Sequence, residues 1–264
     1  MLKVKNISKT FNPGTVNEKT ALRDLSLQLE QGDFVTILGS NGAGKSTLFN
    51  AIAGSFVVDT GSIQLDGKDI TNLPDYKRSK VIGRMFQDPL RGTAPNMTIE
   101  ENLALAYMRA SHHTSPFSMI NKRDRAEFRD RLAQLELGLE DRMDHPVGLL
   151  SGGQRQALTL LMATLGTPKL LLLDEHTAAL DPATAEKVLE LTEKIVAENN
   201  ITCLMITHNI PSALALGNRT IMMKNGSIVM ELSGEERATM TSEKLLQKFH
   251  EQGMSNDRIL FSAE

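Results

Sequence analysis

Apolar and polar residues alternate near the start of the chain, and short apolar runs follow. Leu25, Leu27 and Leu29 occupy every second position, which is typical of a strand with one buried face. The run 34–38 is short, apolar and partly β-branched. It predicts a strand that is buried on both faces.

Glycine-containing turns mark the elements around these strands. A helix is predicted over 45–54, because the glycine at its end can form a left-handed C-terminal cap. An Asp-Gly pair within 62–69 predicts a small antiparallel excursion. Near the end of the chain, an Asn-Gly pair between the apolar segments 220–224 and 227–231 predicts a hairpin. A last helix is predicted around 243–249.

Strand signals fade over 88–150. Apolar residues three or four positions apart predict helices over 99–110 and 122–137. The segment 111–116 between them is predicted to be a loop whose two adjacent histidines face solvent instead of binding a metal. This part of the chain therefore reads as a helical insertion.

Helices and strands alternate again after residue 150. A helix is predicted from about 151, a strand over 170–173, a helix over 184–198 and a strand over 201–207. Such alternation is typical of parallel β-α-β units.

Composition and charge narrow the class of protein. Hydrophobic residues make up 41% and charged residues 23% of the 264 residues, which is ordinary for a folded globular chain. The net charge of −3 argues against a generally basic surface, although it leaves a local basic groove open, and we expect no nucleic-acid partner. Cys203 is the one cysteine, so a reducing compartment is expected. We also expect no secretory signal and no membrane-spanning segment, so that any membrane role comes through a partner.

A glycine-rich loop lies between the predicted strand 34–38 and the helix that follows it. Its residues fit the pattern G-x-x-x-x-G-K-[ST], whose backbone N–H groups and helix N-terminus bind phosphates. Lys45 is expected to reach the β- and γ-phosphates of ATP, Ser46 to bind Mg²⁺ through its hydroxyl, and Thr47 to lie near the α-phosphate. The loop is Gly39, Ser40, Asn41, Gly42, Ala43, Gly44, Lys45 and Ser46.

Two carboxylates follow the apolar strand 170–173. Ligands of open parallel sheets bind beyond the carboxyl ends of strands, so Asp174 is placed to hold the water shell of Mg²⁺. Glu175 can then orient or deprotonate the water that attacks the γ-phosphate. By itself the Asp-Glu pair could also be a helix cap or a solvated strand end.

The loop and the order of elements together predict one α/β domain with a P-loop NTPase core. Residues 1–87 and 151–264 are expected to form that core, with a mixed, mainly parallel sheet and an antiparallel β part. Residues 88–150 are expected to form a helical subdomain inserted into it.

The segment 151–154 after Leu150 opens a helix with a glycine pair. Ser151 and Gln154 satisfy a capping box, so a well-made helix start is the local alternative. Capping does not require Gly152 and Gly153. An exposed helix N-terminus with two glycines is suited to an anion.

Three further residues lie at positions that are informative together with the phosphate loop and the segment 151–154. Gln87 follows an apolar strand, Asp181 closes an Ala-Ala-Leu-Asp segment after the carboxylates, and His208 follows the strand 201–207. With the phosphate loop and the segment 151–154, the chain closely resembles the ATP-binding subunits of ATP-binding-cassette (ABC) transporters over nearly all of its length.

This resemblance implies roles for single residues. Gln87 would contact Mg²⁺ or the water and relay the nucleotide state to the helical insertion. His208 would contact the γ-phosphate, Asp181 would communicate across a dimer, and Phe11 would stack on adenine. Phe11 could equally be a core residue, and Gln87 a surface glutamine at a strand end.

The resemblance also implies an assembly. The segment 151–154 of one subunit would close over the γ-phosphate held by the phosphate loop of another, so a homodimer would enclose two ATP. Its ATP hydrolysis would energise transmembrane permease subunits from the cytoplasmic face of the membrane, with an extracytoplasmic substrate-binding protein. The alternative is a soluble single-cassette ATPase, such as one of iron–sulfur assembly.

Two positions depart from the common family pattern. His176 stands where proline usually follows the acidic pair, and Ala157 stands where arginine often follows the signature segment. The string 174–182 resembles the ATPases of bacterial importers for tryptophan, tyrosine or related solutes, so an amino-acid importer is expected.

Overall fold

The structure, a computed structural model, describes residues 1–110 and 121–251. Its strands are β1 (Leu2–Phe11), β2 (Lys19–Leu29), β3 (Phe34–Leu38), β4 (Thr60–Leu65), β5 (Lys68–Asp69), β6 (Ile82–Met85), β7 (Leu170–Asp174), β8 (Thr202–Ile206), β9 (Arg219–Lys224) and β10 (Ser227–Ser233). Its helices are α1 (Lys45–Ala53), α2 (Asp75–Arg78), α3 (Ile99–Ala110), α4 (Lys122–Ala133), α5 (Gly152–Thr164), α6 (Pro182–Glu198), α7 (Ile210–Ala215), α8 (Gly234–Ala238) and α9 (Ser242–Glu251). The loop predicted over 111–116 lies outside the described residues.

The chain divides into two compact units. The first comprises Met1–Arg78 and Thr202–Glu264, and the second comprises Ser79–Ile201. The first unit therefore contains the predicted phosphate loop, and the second contains the predicted carboxylates and the segment 151–154.

The first unit contains antiparallel and parallel strand pairings. In one sheet β1 lies between β2 and β4 and is antiparallel to both, and β5 pairs with β4. Elsewhere in this unit β3 lies between β8 and β9 and is parallel to both, whereas β10 is antiparallel to β9. The predicted antiparallel part and mixed sheet are thus confirmed.

Helix α1 is fixed at both ends by glycine. Gly44 precedes it with a left-handed φ of 103°, and Gly54 ends it with a φ of 86° while its N–H donates to the Asn50 carbonyl. Leu48 and Phe49 are fully buried, so apolar packing holds the helix along its length. The predicted bounds of this helix are confirmed.

The second unit is built around the parallel pair β6 and β7. Their register runs from Ile82 opposite Leu170 to Met85 opposite Leu173. All four leucines of β7 are buried, as expected of a strand in a parallel pairing. Helix α5 packs against α3, α4 and α6, and it is buried along most of its length.

Two predicted boundaries in this unit are wrong. Helix α4 was expected to run to residue 137 but ends at Ala133, because Glu136 and Gly138 adopt left-handed φ angles of 55° and 67° that no helix accommodates. Helix α6 begins at Pro182, two residues early, because proline is favoured in the first helical turn.

Within residues 1–110 and 121–251, no helix has the length and apolarity needed to cross a membrane. Cys203 is buried in β8, and this burial raises the pKa of its thiol. It therefore behaves as a small apolar core residue.

Candidate active site

The phosphate loop of the first unit is shaped by backbone that needs glycine. Gly39 has a φ of 151°, and a Cβ there would collide with the Met223 carbonyl oxygen. Gly44 has a φ of 103°, and a Cβ there would come within 2.6 Å of the Ala21 carbonyl oxygen. Any side chain at either position would push the loop away from its neighbouring strands.

Lys45 points back across this loop. It is only 5% exposed, and its Nζ donates to the carbonyl oxygens of Gly39 at 2.6 Å and Ser40 at 3.0 Å. The ammonium group is therefore held against the backbone of the loop by two hydrogen bonds. Asn41, Gly42 and Ser46 are exposed, Ser40 and Thr47 are half-buried, and Gly39, Ala43 and Gly44 are buried.

A second cation lies beside the loop, and sequence reasoning missed it. The Nζ of Lys19 is 3.8 Å from the position that a Cβ on Gly42 would take. The loop is also tied to the β9–β10 hairpin, because Gly226 N–H donates to the Ala43 carbonyl at 2.9 Å. No local pattern links these residues to the loop in the sequence.

Phe11 is half-buried at the end of β1 and belongs to a small aromatic pair. Its ring meets that of Phe56 edge to face, with centroids 5.4 Å apart. The Nζ of Lys9 lies 5.8 Å from the centre of the Phe11 ring and is held by Asp59 at 2.6 Å. Phe11 is thus neither a core residue nor a fully exposed one.

His208 lies two residues beyond β8 and is half-buried. The residue before it is fixed to β3, since Thr207 N–H donates to the Ile37 carbonyl at 3.2 Å. The residue after it caps α7, since the Asn209 side chain accepts from Ser212 N–H at 2.7 Å. The backbone on both sides therefore holds the imidazole at the carboxyl end of β8.

In the second unit the two carboxylates follow buried leucines. Asp174 is the last residue of β7 and is half-buried, and Glu175 follows in the left-handed region with a φ of 47°. The Nε2 of Gln87 donates to Oε2 of Glu175 at 3.2 Å, although the two residues are far apart in sequence. The amide oxygen of Gln87 is not used in this bond.

The segment 151–154 opens α5 with its first residues exposed. Ser151 Oγ accepts from Gln154 N–H, and Gln154 Oε1 accepts from Ser151 N–H, both at 3.2 Å, so the predicted capping box is confirmed. Gly152 is exposed, whereas a Cβ on Gly153 would collide with Thr184. The helix N-terminus is therefore open to solvent at Gly152, and close packing requires glycine at 153.

Asp181 is the N-cap of α6. Its Oδ1 accepts from Thr184 N–H at 3.1 Å, and hydrogen bonds from the Thr184 side chain and backbone lower the pKa of this exposed carboxyl. The carboxylate thus fixes the start of the helix that packs against α5.

His176, noted in the sequence only as a departure from a family pattern, is buried in the turn 175–181 that joins β7 to α6. It is 3% exposed, and burial lowers the pKa of its imidazole to about 4, so the ring is neutral at neutral pH. Its Nε2 lies 3.2 Å from Oγ1 of Thr192 on α6. Ala157, the other departure, is fully buried on α5, where the guanidinium of an arginine would be removed from solvent.

The known proteins that are similar to this chain include ATP-binding proteins of transporters. The ABC transporter family matches residues 22–178. The tyrosine transport ATP-binding protein of Clostridioides difficile (strain R20291) is 47% identical over 249 residues, which are 94% of this chain and 98% of that protein. The aliphatic sulfonates import ATP-binding protein SsuB 2 of Agrobacterium fabrum is 37% identical over 214 residues, covering 81% of this chain and 74% of that protein.

A solved structure agrees in fold. The ATP-binding cassette MJ0796, in a dimeric post-hydrolysis state bound to ADP and Pi, superposes with a TM-score of 0.75 at 31% identity, covering 88% of this chain and 98% of that one.

A phosphate loop of this form, a strand that ends in two carboxylates and a fold shared with ADP-bound cassettes define an ATPase of the cassette class. The chain belongs to the ABC transporter family. The predicted resemblance, fold class and ATPase activity are therefore confirmed.

Proposed function

We propose that two copies of this chain form an ATPase dimer that energises uptake of an aromatic amino acid through a membrane permease. The proposed substrate class rests on the 47% identity, over 94% of the chain, to a tyrosine transport ATP-binding protein. Identity to the sulfonate importer is lower, at 37%. Tyrosine or a chemically similar amino acid is therefore the favoured substrate.

The first unit would bind the nucleotide. The loop 39–47 would surround the phosphates with backbone N–H groups, and the buried ammonium of Lys45 would neutralise the β- and γ-phosphates. Phe11 would stack on adenine, and His208 would donate a hydrogen bond to the γ-phosphate. The short contacts of Lys45 to the loop carbonyls support this assignment, because they hold a cation where anions bind.

The donor set fits Mg²⁺ that arrives with ATP. The Ser46 hydroxyl, the Gln87 amide oxygen and the Asp174 carboxylate are the hard oxygen ligands that Mg²⁺ prefers. No group of three or more His, Cys, Asp or Glu side chains in the described part of the chain could hold a metal ion. Phosphate oxygens and water would complete the ligands, and the ion would supply charge neutralisation on the phosphates.

Glu175 would orient the attacking water and accept its proton. Its carboxylate is held by the Gln87 amide at 3.2 Å, and its backbone is held in the left-handed region at the end of β7. A water bound to this carboxylate could attack the γ-phosphorus in line with the bond that breaks. Gln87 would thus link the water to the helical part of the second unit.

The second copy would complete each site. The exposed start of α5 at Ser151 and Gly152 presents N–H groups and the positive end of a helix dipole. Gly153 and Gln154 stabilise the conformation of this helix start through close packing and the capping box. Asp181 would contact the partner copy from the start of α6. The dimer seen for the similar cassette MJ0796 supports this arrangement.

The permease would dock on the helical part, residues 88–150, which we propose as a signature subdomain of the domain formed with 1–87 and 151–264. Leu90, Leu105 and Met108 of this part are exposed large apolar residues. Such residues suit cytoplasmic helices of a permease, which would hold the ATPase at the cytoplasmic face of the membrane. An extracytoplasmic binding protein would deliver the amino acid.

Replacing Glu175 by glutamine tests the role of the carboxylate. Glu175→Gln should bind ATP and form a long-lived dimer while losing at least about a hundredfold in turnover, because the amide cannot accept a proton. Gel filtration with ATP and phosphate release measure the two effects. Glu190→Gln, at an exposed glutamate on α6, is the control and should behave as the unaltered protein. A Glu175→Gln protein that stays monomeric with ATP and hydrolyses it normally would refute this role.

Uptake and co-purification test the transport role. Cells that lack the chain should lose uptake of labelled tyrosine, and the tagged chain should co-purify from detergent-treated membranes with a multi-span protein. Recovery with a soluble scaffold alone would instead favour the soluble cassette class. Normal tyrosine uptake without the chain would exclude tyrosine as the substrate.

A further inference from the structure

His176 makes a buried polar contact directly after Glu175. The imidazole is 3% exposed, and its Nε2 lies 3.2 Å from Oγ1 of Thr192 on α6. Thr192 is itself fully buried. A hydrogen bond shielded from water in this way is stronger than an exposed one and leaves a costly unpaired group when one partner is removed.

The direction of this hydrogen bond follows from the second contact of Thr192. Its hydroxyl donates to the Val188 carbonyl at 2.8 Å, so its one proton is already used. Oγ1 can then only accept from the imidazole, and His176 must carry its proton on Nε2. The contact therefore joins a neutral imidazole donor on the turn to a fixed acceptor on a long helix.

The turn that this bond fastens carries a strained residue. Glu175 has a φ of 47°, in the left-handed region that a residue with a side chain adopts only at an energetic cost. Such conformations persist only where the surroundings hold them. The Ala178 N–H donates to the Glu175 carbonyl at 3.0 Å, and the Gln87 amide holds the Glu175 carboxylate, but neither contact ties the turn to α6.

We infer that His176 is a positioning residue for ATP hydrolysis, because its hydrogen bond to Thr192 fastens the turn to α6 and so holds the Glu175 carboxylate at the attacking water. This role rests on the proposed role of Glu175. Displacing a catalytic carboxylate lowers the rate of the chemical step and leaves nucleotide binding unchanged, because the phosphate loop belongs to the other unit.

The test removes each partner of the bond without opening a large cavity. His176→Leu and Thr192→Val should each lower kcat about tenfold or more, with KM for ATP and the Kd for ATP measured in EDTA unchanged. His176→Gln places an N–H near the position of Nε2, so its kcat should be close to that of the unaltered protein and well above that of His176→Leu. Thr164→Val is the matched control, because the Thr164 hydroxyl is also buried and donates to a carbonyl of its own helix, on α5, without a histidine partner.

The double variant distinguishes one shared contact from two separate defects. His176→Leu combined with Thr192→Val should lose no more kcat than either single variant, because both remove the same hydrogen bond. Losses that multiply, a kcat that stays unchanged in Thr192→Val, or a Kd for ATP that rises in parallel would each overturn the inference. If His176→Leu does not fold, the kcat of the near-isosteric Thr192→Val tests the inference by itself.

The same assay separates this inference from the proposed function. Glu175→Gln is measured beside the other variants. If Glu175→Gln abolishes turnover while Thr192→Val does not slow it, only the role of His176 fails. If Glu175→Gln itself hydrolyses ATP normally, the proposed role of Glu175 fails first.

Discussion

A buried neutral imidazole makes the stability of this chain depend on pH. His176 lies inside the second unit, where burial lowers its pKa from the ordinary value of 6.5 to about 4. Between these values the unfolded chain binds a proton that the folded chain does not. The contribution to stability is therefore complete above about pH 6.5 and is lost as the pH falls towards 4.

We expect the free energy of unfolding to fall by roughly 2 kcal/mol or more between about pH 7.5 and about pH 4.5 because of this residue. Urea unfolding of the unaltered protein and of His176→Gln at both pH values isolates the contribution, since other titrating groups cancel in the difference. An equal loss in His176→Gln would show that His176 is not its source.

At the scale of an element, a single guanidinium holds the end of α1, the helix that begins with Lys45. Arg78 is 2% exposed, and burial lowers the pKa of its guanidinium. It donates at 2.8–2.9 Å to four backbone carbonyls at the end of α1 and in the segment before α2. They belong to Ala51, Ile52, Thr71 and Leu73.

Arg78→Met should lower the free energy of unfolding by about 3 kcal/mol or more, because several buried carbonyls would lose their donor together. Lys77→Met removes an exposed cation from the same short helix and should change stability by less than about 0.5 kcal/mol. Urea unfolding at neutral pH measures both. Equal stability of the two variants would mean that water satisfies the carbonyls in place of Arg78.

At the scale of the whole molecule, the proposed site is divided between two copies. Lys45→Ala disables the phosphate loop. Gly152→Asp places a negative charge on the exposed helix start that would face the triphosphate, and aspartate is otherwise favourable in a first helical turn. Either protein alone should be inactive.

Mixing the two variants should restore turnover to about a quarter of the normal rate, because half of the dimers would be mixed and each would hold one intact site. Phosphate release after mixing, compared with each variant alone, measures this recovery. A mixture as inactive as its components would show that the phosphate loop and the segment 151–154 do not act across two copies.

Local rules explain which features were predictable. The glycine cap of α1, the capping box at Ser151 and Gln154 and the Asn-Gly hairpin all arise from residues within a few positions of each other. The end of α4 was missed because Glu136 adopts left-handed backbone, and a glutamate in the sequence does not indicate that conformation. The long-range bonds from Gln87 to Glu175 and from His176 to Thr192 were not predictable, since each joins separate elements.

By itself the sequence determined the chemistry that is available: a phosphate-binding loop, two carboxylates after an apolar strand and a helix opened by glycines. These follow from residue types at short spacing, where backbone geometry is set by near neighbours. Only the tertiary structure decided that Gln87 holds Glu175, that Arg78 holds the end of α1 and that His176 is buried against Thr192. Such contacts depend on which elements pack together, and hydrogen bonds hidden from water acquire their strength only after that packing is complete.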